Sequence, residues 1–119
     1  MGRLPVIWPI FAAAAAAAIQ PGTPLDQDLH CLTAIANTLG VAKTEEDKSS
    51  LTAVMFYFLG KVDASAPGLD LEKAIVAVAS LPDYATKQLP VDLKRCGGEI
   101  GSRGQQLSAI GAALTKRGF

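Results

Sequence analysis

From Leu25 onward, apolar side chains recur at three- and four-residue steps, the spacing of one helix face. No stretch alternates as a half-buried strand would. The first predicted helix runs from Leu25 to Leu39, with Pro24 and Asp26 marking its start and Gly40 supplying a left-handed end. Leu29, Leu32, Ile35, Ala36 and Leu39 share its inner face, with Cys31 at the margin. A second helix begins at Thr44, where Thr44-Glu45-Glu46-Asp47 approximates a capping box and the acidic first turn suits the helix dipole. Its inward stripe is Leu51, Val54, Met55, Phe58, Leu59 and Val62, and it gives out near Asp63. Asp70 caps a third helix with Leu71, Ala74, Ile75, Val78 and Ala79 inward, and Pro82 stops it by removing a donor. Asp83 to Leu89 reads as a short helical turn. Pro90 then opens a fourth helix that runs to about Arg117.

The fourth helix is the most patterned. Leu93, Cys96, Ile100, Leu107, Ile110 and Leu114 fall in one sector of its wheel, and Gly97, Gly101, Gly104, Ser108 and Gly111 lie beside them. Interior glycine costs about 1 kcal/mol relative to alanine, so a ridge of them predicts close approach of another backbone. The lysines and arginines of this segment keep it out of lipid. The fold class expected is all-α: a small four-helix domain, an orthogonal or irregular bundle, over residues 25–119.

Residues 1–18 change where that domain is placed. Arg3 precedes an apolar run from Val6 that ends in seven consecutive alanines at Ala18, the parts of a signal peptide. Val6 to Ile19 is fourteen residues, short of the roughly 20 that a spanning helix needs. Cleavage after Ala18 leaves a loose leader over 19–24 and the helical domain. The address expected is periplasmic or secreted, with no stable membrane insertion once the peptide is removed. Lysines and arginines equal acidic residues at eleven each and are scattered, so no basic stripe is available for nucleic acid.

Export also decides how the two cysteines read. Cys31 and Cys96 make an even pair with no odd thiol, which in an oxidising compartment predicts a disulfide. The closed loop of 66 residues is worth roughly 4 kcal/mol in the chain-entropy model. There is no C-x-x-C, and one histidine with two distant cysteines cannot fill a structural zinc site. No metal and no cofactor is expected. Catalysis is not expected either: Ser49-Ser50 lack a G-x-S-x-G elbow and Gly97-Gly98 sit in a helical pattern, not a phosphate loop.

Arg103 falls inside the apolar sector of the fourth helix. Its stem can lie over apolar surface with the head in water. The sharper alternative pairs it with a carboxylate or an anionic ligand at the mouth of a cavity between the second and fourth helices. Phe56 and Tyr57 point away from the inward stripe of the second helix. A central helix covered on several sides would bury them. Otherwise they form an exposed patch for a protein partner or self-association, which Tyr84 would extend. His30, the lone imidazole, is expected to face solvent.

Cys31-Leu32 in an early helix, Phe56-Tyr57-Phe58-Leu59-Gly60 in mid-chain, and Cys96 opening the last helix resemble the HdeA-type acid-stress chaperones. The likeness is one of architecture over residues 25–117. It implies a small periplasmic all-helical protein with one disulfide, a dimer that loosens in acid and covers unfolded clients with apolar surface. The function expected is a non-enzymatic interaction or chaperone-like role. The alternative is a binding module for a small apolar or amphiphilic ligand held between helices.

Overall fold

A computed structural model describes residues 19–119, so the signal-peptide expectation for residues 1–18 lies outside the described residues. Four helices follow in order: α1 (Pro24–Val41), α2 (Glu45–Ser65), α3 (Leu71–Ala79) and α4 (Leu89–Lys116). The turn expected after Pro82 is a π-helical turn, Tyr84–Gln88, that runs directly into α4. There is no strand among the described residues.

The helix starts follow local chemistry. Thr23, Thr44 and Asp70 each hold extended backbone and accept a hydrogen bond from the amide three residues on, at 3.2, 3.1 and 3.1 Å. One expected end is corrected. Gly40 stays helical, and α1 closes at Ala42, an extended residue whose N–H reaches the Leu39 carbonyl at 3.2 Å. A left-handed glycine does end a helix at Gly118 (φ 89°), after α4. There Gly118 donates to Thr115 and Phe119 to Leu114, the paired bonds of a Schellman ending.

α1 is the central element. Leu29 and every residue from Cys31 to Ile35 are buried, covered by Phe58 and Val62 of α2, Ala74 and Val78 of α3, Tyr84, and Cys96 of α4. Cys31 and Cys96 are joined in a disulfide, so α1 and α4 are linked covalently at the centre of this core.

α4 departs from the expected bundle. Its first three turns pack: Cys96 is buried, and Leu93 and Ile100 are partly so. Every residue from Gly101 to Phe119 is exposed, including Leu107, Ile110 and Leu114 of the predicted inward stripe. The glycine ridge is corrected with it, because a Cβ built at Gly97, Gly101, Gly104 or Gly111 meets nothing within 4 Å. The physical reason is length. At 1.5 Å per residue, the 28 residues of α4 reach about 42 Å, whereas the 18 of α1, on which it packs, cover about 27 Å. The neighbours end and α4 continues alone.

Candidate functional site

Two features stand out: a polar network around the disulfide, and apolar surface left open on two sides of the body. The network begins with Asp28 and Asp92, carboxylates buried within the core. Lys61 of α2 reaches Asp28 at 2.9 Å and Glu99 at 2.7 Å, bridging α1, α2 and α4. The Tyr57 hydroxyl donates to the same Glu99 oxygen at 2.7 Å, and the Lys61 ammonium lies 5.6 and 5.8 Å from the centres of the Tyr57 and Phe58 rings. Burial alone would push the Glu99 carboxyl up. Hydrogen bonds from Lys61 and Tyr57, with the charges of Lys61 and Arg95, hold it below the usual carboxylate range. Burial likewise works against the Lys61 ammonium, but its bonds to Glu99 and Asp28 and their charges keep its pKa above the ordinary lysine value.

On the other side of the disulfide, His30 Nδ1 donates to Asp92 at 2.8 Å, while its Nε2 lies 3.7 Å from Asp26. Gln88 donates to the second Asp92 oxygen at 2.9 Å, and Arg95 donates to the Gln27 carbonyl at 3.1 Å. His30 is therefore largely covered and paired, a correction to the solvent-facing expectation. A histidine oriented by a carboxylate is half of a base-and-nucleophile arrangement. No hydroxyl or thiol among the described residues hydrogen-bonds its free nitrogen. What the pair does here is fasten α1 to α4.

The four candidate surface residues do not form one surface. Phe56 is exposed at 66%, the second of the two alternatives its sequence left open. Tyr57 is half-buried, held by Glu99 and set edge-on to Phe58 with ring centres 5.0 Å apart. Tyr84 is buried at 3% and cannot extend any patch. Its hydroxyl is enclosed without a hydrogen-bond partner. Burial first, and then the charge of Asp92, push the phenol up to about 12. Arg103 stands in solvent on the projecting part of α4 and donates to Gln106 at 2.7 Å.

Open apolar surface lies elsewhere. A groove of about 240 Å³ runs between α1, α2 and α3, lined by Leu32, Leu39, Met55, Phe56, Leu59 and Ile75 together with Thr52 and Leu71. The cavity expected between the second and fourth helices is thus replaced by one on the opposite side of α2, and Arg103 is not at its mouth. The second open surface is the projecting half of α4, with Leu107, Ile110 and Leu114 at 67, 48 and 46% exposure. Reasoning from sequence missed the network because its partners on different helices stand 33 to 68 positions apart. No helix among the described residues is long and apolar enough to cross a membrane, and no group of three metal-ligating side chains is found among them. Comparison with protein families, characterised proteins and solved structures gave no match.

Proposed function

We propose that this chain is an exported, non-enzymatic helical interaction protein that holds apolar segments of other polypeptides in a chaperone-like way. The observation that carries the reading is the apolar stripe of α4 beyond Ile100, which nothing among the described residues covers. Contiguous exposed apolar surface with a polar surround is what partner-binding sites present. Phe56, standing free at the edge of the groove, adds a second such surface. The disulfide suits an oxidising compartment, either periplasmic or extracellular. The resemblance to acid-stress chaperones supports the same role. Aggregation of reduced insulin B chain, followed by light scattering, tests it. Wild type should suppress the scattering, and Phe56→Asp or Leu107→Asp should lose most of that effect without altering the urea midpoint. A wild-type protein with no effect on aggregation contradicts the reading.

The groove also favours a second reading, as a site for a small apolar ligand. Its volume of about 240 Å³ falls below the roughly 300–1,000 Å³ of common ligand pockets, which suits a few inserted side chains better. Native mass spectrometry decides between them. A co-purified ligand lost in Met55→Asp but kept in Arg103→Ala would favour the small molecule.

A further inference from the structure

We infer that the projecting half of α4 docks in the α1–α2–α3 groove of a second copy of this chain, and that the two copies exchange these helices reciprocally. This rests on the interaction reading above and names its partner.

The first argument is continuity. Cys96 and Ile100 face the core, and on the same helical face Leu107 and Leu114 continue past the point where the core ends. No described residue covers this stripe, which leaves it open as a packing surface for a partner. The second argument is complementarity of charge. Residues 101–119 carry Arg103, Lys116 and Arg117 and no acidic side chain. Residues 45–79, which form two walls of the groove, carry six carboxylates against three lysines, and Lys61 among these is already held by Asp28 and Glu99. Glu45, Glu46 and Asp47 lie about two turns before Thr52 on α2, and Asp70 and Glu72 flank Leu71. Carboxylates therefore bracket the groove along the chain, as arginines and a lysine bracket the stripe.

The alternatives fit less well. Pairing α4 with α4 would bring two cationic segments together. A membrane surface would accept the leucines but leave the apolar groove and the carboxylates that bracket it in the chain without a role. The small side chains beside the stripe, Gly104, Ser108 and Gly111, have open space around them that an incoming helix can occupy closely. Each copy offers the α1–α2–α3 groove and a projecting helix, so a two-fold exchange satisfies both and closes the assembly.

Complementation between variants tests this with the full chain. Wild type should sediment as a dimer at tens of micromolar. Leu107→Asp with Ile110→Asp should be monomeric for want of a helix, and Phe56→Asp should dissociate at least tenfold more readily for want of a groove. All three positions are exposed, so urea midpoints should match in solutions dilute enough that every chain is monomeric. Mixing the two variants should restore a mixed dimer, because one intact helix then meets one intact groove. Lys116→Glu with Arg117→Glu should weaken the dimer about tenfold, with recovery on mixing with Glu45→Lys, Glu46→Lys chains. The exchange is overturned if wild type stays monomeric at hundreds of micromolar or if Phe56→Asp dimerises as tightly as wild type, which would mean α4–α4 pairing. It is equally overturned if the two variants fail to complement, or if a monomer binds phosphatidylglycerol vesicles through Leu107. A monomer that still protects insulin B chain through Phe56 and Leu107 would remove the exchange and leave the interaction reading standing.

Discussion

The two halves of α4 have the same apolar period and opposite fates. Up to Ile100 the stripe meets α1, is fixed by the disulfide, and is flanked by Asp92, hydrogen-bonded to His30 of α1, and by Glu99, ion-paired with Lys61 of α2. From Gly101 on, the same face points to solvent and the helix is held only by its own hydrogen bonds and its Schellman end. Sequence pattern alone therefore states what a helix can bury, not what is present to bury it. Length relative to the neighbours decides that. An isolated helix of this size carrying Gly101, Gly104 and Gly111 is marginal in water, which gives a docking partner something to stabilise.

Substitutions should separate the halves by size of effect. Phe58→Ala, at a fully buried position against α1, should lower unfolding free energy by about 3–5 kcal/mol in urea titration. Leu107→Ala in dilute monomer should stay within about 0.5 kcal/mol of wild type. Equal losses at the two positions would erase the distinction. Replacing both cysteines by serine should cost about 4 kcal/mol, because a 66-residue loop is released in the unfolded chain. The body, and not the projecting half, should register it by circular dichroism.

Titration sharpens the contrast, since the groups with shifted pKa values stand in the body. The Tyr84 phenol is raised to about 12 in the folded chain and titrates near 10 when unfolded. Its neutral form favours folding, so stability should hold below pH 10 and fall by about 2–3 kcal/mol as pH climbs toward 12. Tyr84→Phe should abolish that alkaline loss and remove an unsatisfied buried hydroxyl. Glu99 has the smaller effect and the opposite sign. Its carboxyl is held low, so its contribution is present above the ordinary carboxylate range and fades as pH falls through the lowered value. Glu99→Gln should cost about 1 kcal/mol at neutral pH and flatten the acid limb of the stability curve.

Much of the fold was legible in the residues. Thr44 and Asp70 announce helix starts through their side chains, Pro82 stops α3, and two cysteines leave one pairing. The ending of α1 was not legible, because Gly40 can sit in a helix as well as end one. The exposure of Leu107, Ile110 and Leu114 was hidden by a period that runs unbroken from Leu93. The mismatch between a 28-residue α4 and the 18-residue α1 it packs on was the available clue. Burial or exposure of Phe56 could not be decided in advance, because packing around α2 depends on where α1 and α3 lie. His30, Asp28 and Asp92 could not be paired in advance, since charged groups enter a core only with partners that folding brings from distant positions.

Hydrogen exchange along α4 at two protein concentrations tests the central claim most directly. At a few micromolar, amides around Cys96 should open only with global unfolding, while those from Gly104 to Ala113 exchange at least a hundredfold faster. At several hundred micromolar the second set should slow by tenfold or more as copies dock, and the first should not change. Uniform protection along α4 in dilute solution, or fast exchange of its second half at every concentration, would contradict the account.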